Sequence, residues 1–200
     1  MNKLSNDEQH EMFDSRWKEE VKLNLGSGLD IREGYINVDL TKKNGADVVH
    51  DLERFPYPFK SNSVDYVLMD NSLEHLEDTI AVMKELHRIC KDKAIIDIYV
   101  PHYSGAMAFG HLTHKRFFGS GSFDNFECNS WEKYSDIEFK TIEKRLIWLD
   151  CRNWWFIRPF KFIIDKIINC NKFISERFLS HILGGFDHIY FKLEVVKENE

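Results

Sequence analysis

Cysteine is scarce and scattered. Cys90, Cys128, Cys151 and Cys170 form no C-x-x-C pair, which argues against a zinc knuckle or a redox motif. Buried thiols in a reducing compartment are the expectation. Only four prolines occur in 200 residues, so there is little room for a linker. No apolar run approaches the roughly 20 residues a membrane-spanning helix needs. The stretch Met1–Asp14 has no apolar core, so it does not read as a secretory signal. These features together predict a cytoplasmic protein. Positive charge is not in excess either: 27 Lys+Arg face 33 Asp+Glu, for a net charge of −6. General nucleic-acid affinity needs a basic field that this chain lacks. Internal repeats and low-complexity segments are also missing.

What is present is apolar and aromatic, at 43% and 14% of residues. That supplies the core of one α/β domain spanning 1–200. Residues 1–20 are polar and read as an N-terminal arm. After them come short apolar, β-branched runs at 21–25, 35–39, 46–51, 64–70 and 94–100. Such runs suit a mostly parallel sheet covered on both faces. Between the fourth and fifth, Leu76, Ile80, Met83, Leu86 and Ile89 recur at helical spacing. They predict a helix over 77–91 that leaves Asp78, Lys84, Glu85 and Arg88 outward. A strand–helix–strand crossover makes parallel pairing natural. A strand over 139–149, helices within 156–183 and an alternating final strand over 187–197 complete the pattern. The expected fold is therefore a Rossmann-like, doubly wound, seven-stranded sheet with an antiparallel last strand.

The first strand ends in Gly26-Ser27-Gly28. Glycine there allows positive φ and close backbone approach to a ligand, and ligands of doubly wound sheets bind beyond the carboxyl ends of the strands. The next three strands each carry an acid near that end: Asp39, Asp51 and Asp70. A carboxylate after the second strand can accept from both ribose hydroxyls, and a polar group after the third can accept from an adenine amino group. Capping of turns and helices is the alternative use of such acids. A dinucleotide fingerprint would need a third glycine where Ile31 stands and an acid about 20 residues on. Asp39 follows Gly28 by only 11. A phosphate-free ligand suits this turn better.

The segments LNLGSGLDIREGYINVDL and DVVHDLERFPYPFKSNSVDYVLMDNSLEHLED resemble class I S-adenosylmethionine-dependent methyltransferases, in a small, type 11-like branch with a short first helix. The resemblance is strong over 22–100. It implies S-adenosylmethionine as cofactor and S-adenosylhomocysteine as product. Gly26, Ser27 and Gly28 would lie against the methionine part, and Asp39 with Leu40 would hold the ribose. Asp51 and Leu52 would bracket the adenine, with Asn71 and Ser72 beside the sulfonium. Arg32 is a candidate partner for the methionine carboxylate. Pro101, His102, Ser104, Thr113, His114, Arg116 and Phe118 match a P-H-x-S and D-P-T-H-x-R-x-F pattern of the same branch, with His111-Leu112 in place of Asp-Pro.

An oxygen acceptor needs a base, and histidine is the default near neutral pH. His114 and His102 are the candidates, with His75 beside them or capping the helix. His102, His111 and His114 could in principle gather around a metal, but no acid completes the set and no metal is expected. Lys115 and Arg116 are the only hint of an anionic acceptor. The fourth strand is followed by Asp70-Asn71-Ser72-Leu73, not the [DN]-P-P-[FYW] of nucleic-acid amino methyltransferases. The expected acceptor is a polar small molecule or glycan precursor, methylated at oxygen, with no nucleic acid. The alternative is a cofactor-binding module without catalysis.

Residues 101–135 and 152–185 read as lid or insertion segments. Residues 152–183 carry a local charge of +4 while the rest carries −10, and isoleucine and phenylalanine crowd the same stretch. A basic amphipathic helix can cover the active site, meet a membrane surface or join a second copy in a homodimer. Trp154 and Trp155 favour the interface reading.

Overall fold

The computed structural model describes residues 20–150 and 158–197. The N-terminal arm, Cys151, Trp154 and Trp155 lie outside them. Seven strands form one sheet: β1 Lys22–Leu25, β2 Ile36–Asp39, β3 Val48–Val49, β4 Val64–Asp70, β5 Cys90–Pro101, β6 Glu138–Ile147 and β7 His188–Val196. Their spatial order is β3-β2-β1-β4-β5-β7-β6. The first five pair in parallel, and β7 runs antiparallel to both β5 and β6. The order reverses direction at β1 and β4, so a crevice opens where their carboxyl ends diverge. Leu23, Leu25, Val67, Met69, Ile96 and Ile98 are fully or almost fully buried, as strands covered on both faces require.

The β1–β2 connection from Gly26 to Tyr35 runs as turns. A polar network takes the place of a first helix. The buried Asn24 donates to Asn37 Oδ1 (3.0 Å) and to the Asp30 carbonyl (2.7 Å). Asn37 Oδ1 also accepts from the Arg32 amide at 2.9 Å, and its Nδ2 donates to Asp47 at 3.1 Å. Satisfied groups of this kind can be buried without the penalty an orphan would carry.

Helix α1, Thr79–Ile89, links β4 to β5. Its N-cap is Asp78, whose side chain accepts from the Ala81 amide at 2.9 Å, so His75 is not the cap. Two expected positions on this helix are reversed. Ile80 is exposed, and Glu85 is buried. Glu85 turns inward because it accepts from the Tyr57 amide at 2.6 Å and from Arg88 Nε at 2.9 Å. Strand β5 starts at Cys90, four residues before the apolar run that announces it.

After β5 comes a short helix, α2, Ala106–Gly110. Phe118, Phe123 and Phe126 then join the main core, while Phe117 stays exposed. Helix α3, Arg158–Cys170, docks on the outer edge of β6. Asn169 accepts from the Leu146 amide and donates to the Leu146 carbonyl, both at 2.8 Å. An edge strand is thereby covered by a side chain that completes its ladder. The next helical segment, α4 over residues 172–182, contains a π-helical turn at Ser175–Leu179. Cys90 is buried, but Cys128 and Cys170 are exposed free thiols, contrary to the expectation of burial.

Candidate active site

Gly26 holds φ +72°, and a Cβ there would fall 2.4 Å from Ser72 Cβ. Only glycine fits this meeting of the β1 and β4 ends. The amides of Gly26 and Ser27 both donate to the Val38 carbonyl, at 2.9 and 3.0 Å. Ser72 Oγ donates to the Leu25 carbonyl at 3.0 Å. Asp39 then organises the turn from the β2 side: Oδ2 accepts from the Gly28 amide at 2.8 Å and Oδ1 from the Thr41 amide at 3.1 Å.

Around this junction lies a cleft of about 310 Å³, lined by Gly26, Asp39, Leu40, Asp51, Leu52, Asn71, Ser72 and His75 among others. A second cleft, of about 630 Å³, shares Gly26 and Asn71 with it and adds Asn24, Ser27, Arg32 and Asp70. The structure therefore gathers the expected cofactor residues at one place, with Ser27 in the second cleft. Gly28 meets the site through the hydrogen bond its amide donates to Asp39 Oδ2. Arg32 reaches Asp30 at 2.6 Å and Asp70 at 3.2 Å. His50, Glu53 and Leu76 also line the first cleft. Sequence reasoning missed them, although VVHDLE places His50 and Glu53 on either side of Asp51.

At the rim His75 meets His111 and His114, with one ring nitrogen from each within 4.8 Å of the others. His75 Nδ1 lies 3.2 Å from the Thr113 carbonyl, and His114 Nδ1 lies 3.0 Å from the Ala108 carbonyl. A carbonyl only accepts, so the tautomer that fits at each ring has its proton on Nδ1 and its lone pair on Nε2. Burial pulls the His75 pKa down, and the other two histidines and Lys115 add to that. Beneath the cluster is Glu74, which sequence reasoning also missed. It is 1% exposed. Its carboxylate accepts no hydrogen bond among the described residues, and Oε1 sits 3.9 Å from His114 Nε2. Burial pushes it up to about 7, opposed by its own backbone amide and reinforced by Asp70.

His102 lies elsewhere. It is fully buried, with Nδ1 2.8 Å from Ser104 Oγ and Nε2 2.9 Å from Glu176 Oε1 on α4. Both nitrogens are held inside the protein. Lys115 pairs with Glu53 (3.0 Å) and Glu77 (3.2 Å), and Arg116 donates to the Glu77 carbonyl. This basic pair ties the lid to the β3–β4 connection and to the turn just before α1.

The family model described as "Methyltransferase domain" matches residues 20–97. Over these residues the chain is similar to class I methyltransferases of the type 11 kind. It is 28% identical over 125 residues to a demethylmenaquinone methyltransferase of Listeria welshimeri, a match covering 58% of this chain and 52% of that protein. The chain thus spans about half the length of the curated relatives it matches. The YcgJ protein of Bacillus subtilis superposes with a TM-score of 0.55 at 13% identity, over 96% of this chain and 98% of that one. An S-adenosylmethionine-dependent methyltransferase of Mesorhizobium loti superposes with a TM-score of 0.53 at 13% identity, over 87% and 90%. At such identity these structures establish the fold.

S-adenosylmethionine is the cofactor of this domain family, and the residues present fit it. Asp39 keeps lone pairs beyond its two backbone bonds for hydroxyl donors. The cradle at Gly26 would be filled by any Cβ. Ser27 Oγ is buried without a hydrogen-bond partner among the described residues, beside the cleft it lines. Arg32 in that same cleft is suited to a carboxylate.

Proposed function

We propose that this protein transfers a methyl group from S-adenosylmethionine to an oxygen of a polar small molecule or glycan precursor, leaving S-adenosylhomocysteine. One observation carries the reading: the Asp39–Gly26–Ser72 cleft at the strand ends is lined by His75, whose ring centre lies 4.8 Å from that of His114. When bound, S-adenosylmethionine supplies a methyl group on an already activated, positively charged sulfur. The chain's own task is then to position the acceptor and to handle its proton. An oxygen acceptor gives up that proton as its new bond to carbon forms. In this reading His75, which lines the cleft, takes it up, with His114 and Glu74 behind it. Asp39 holds the turn and the ribose side, and Asp51 and Leu52 flank the adenine side.

Substitution of Asp39 by Ala tests this assignment. S-adenosylhomocysteine affinity by calorimetry should fall at least tenfold, on the order of two hydrogen bonds to a charged group. Unchanged affinity would place the cofactor elsewhere. Tight binding with no methylated product from any oxygen acceptor in a mass-spectrometric screen would replace the enzyme with a binding module.

Two features support a setting for this activity. Exposed Cys128 and Cys170 favour a reducing cytoplasm. Helices α3 and α4 leave Phe160, Phe162, Ile163, Phe173, Phe178 and Ile182 between 56% and 76% exposed. Lys166 and Arg177 are exposed on the same helices, and Lys166 Nζ lies 4.4 Å from the Phe162 ring centre. An apolar face with basic neighbours matches an anionic membrane surface in both chemistry and charge. We take that surface as its partner, which would bring a membrane-bound glycan precursor to the rim.

A further inference from the structure

We propose that His75, His111 and His114, with Glu74 beneath them, form a binding site for a divalent transition-metal ion such as Zn2+. The idea deepens the methyl-transfer reading and rests on it only for the ion's role, which is to bind and polarise the acceptor oxygen at the rim.

Three observations converge. The first is the cluster itself. Three imidazoles offer nitrogens that all lie within 4.8 Å of one another, whereas tetrahedral zinc with bonds of about 2.0–2.1 Å needs them about 3.3 Å apart. His111 is exposed, so its ring can rotate to close the difference. The second is orientation. The Nδ1 atoms of His75 and His114 are anchored on the carbonyls of Thr113 and Ala108. Metal-binding histidines are commonly fixed in this way, through an outer partner that sets the tautomer and leaves the other nitrogen free to ligate. Thr113 Oγ1 lies 2.9 Å from Nδ1 of both His75 and His111 and so brings the two rings to one place. The third is Glu74. It is almost wholly buried, its carboxylate is without a hydrogen bond, and Oε1 is 3.9 Å from His114 Nε2. A buried carboxyl in that condition must either keep its proton or face a cation to escape the cost of an unpaired charge. It supplies the acid that the spacing of His111 and His114 alone did not reveal.

The cluster adjoins the cofactor cleft, because His75 lines that cleft directly. Three protein nitrogens leave a coordination position for an acceptor oxygen, as in open metal sites.

The test uses the full chain carrying C128S and C170S, so that the exposed thiols do not take up metal. The chain is stripped with a chelator and titrated with Zn2+ by calorimetry, and then loaded with Co2+ for absorption spectroscopy. One ion per chain should bind, with a Co2+ visible band of tetrahedral strength. The H111A/H114A pair should weaken Zn2+ binding at least 100-fold while an unchanged circular dichroism spectrum shows the fold intact. H181A, on exposed α4, should bind like the parent. No uptake by the stripped chain, or uptake that persists in H111A/H114A, overturns the site. S-adenosylhomocysteine is titrated separately into the metal-free chain. Binding there without Zn2+ uptake defeats the metal site alone. Zn2+ uptake without cofactor binding upholds the site and defeats the cofactor reading.

Discussion

Glu74 shows how one side chain can be set apart by its surroundings. It sits in a 3-10 turn right after β4, so the chain must bury it to reach α1. Its backbone carbonyl accepts from the Lys115 and Arg116 amides at 2.8 and 3.1 Å, which pins the lid, while the carboxyl is raised to about 7 chiefly by burial. A raised acid pKa means the folded chain holds its proton where the unfolded chain has lost it. Stability should therefore fall as pH rises from about 4.5 to 7, by up to roughly 3 kcal/mol. Glu74→Gln should flatten that slope. Urea unfolding of both metal-free proteins at pH 5 and pH 7.5 reads the difference. Parallel pH profiles would show that the carboxyl is not held neutral.

At the level of elements, the decisive contact joins the π-helical turn of α4 to the end of β5. Glu176 accepts from His102 Nε2 at 2.9 Å, and from the Ser120 amide and hydroxyl at 2.6 Å each. Three separated segments are locked through one carboxylate. Burial alone would raise its pKa, but the hydrogen bonds from His102 and Ser120 outweigh it and hold Glu176 low. Glu176→Ala should cost on the order of 3 kcal/mol and speed amide exchange over residues 101–122. A lowered acid pKa gives stability that is present above the ordinary carboxylate range and lost as pH falls through it. The gap between wild type and variant should accordingly shrink below about pH 4. If exchange over 101–122 stays at its wild-type rate, the contact does not hold the lid.

For the molecule as a whole, basic charge and apolar exposure come together on α3 and α4. The chain is acidic overall, yet Lys161, Lys166, Lys172 and Arg177 sit among the exposed aromatics of α3 and α4. Among the described residues no helix is long and apolar enough to cross a membrane. Flotation with vesicles containing anionic lipid should carry the protein upward, and neutral vesicles should carry much less. Raised salt should weaken the effect, because screening shortens the reach of surface charge. Phe160→Glu with Phe173→Glu should abolish it. A protein that stays at the bottom and sediments as a dimer broken by the same pair would make this face a homodimer contact. A free monomer with no flotation would remove both partners.

The strand runs, the crossover helix, the glycine turn and the acids after β2 and β3 are readable in order, because periodicity reports which positions leave water and each strand end fixes the place of the residues just beyond it. The same logic brings Asp39, Asp51, Asn71 and Ser72 to one cleft. It fails where a side chain's partner lies far along the chain. Glu85 reads as outward from its helix position, but the Tyr57 amide, 28 residues away, draws it in. His102 and His114 look alike in their loop. Tertiary packing gives one to Glu176 on α4 and brings the other to His75 and Glu74, behind β4. Lys115 and Arg116 read as free charge until Glu53 and Glu77 meet them. Local sequence determined what each segment could bury and where the cofactor cleft would open. Only the folded chain decided which polar groups meet, because those pairings depend on distances between elements that no single segment contains.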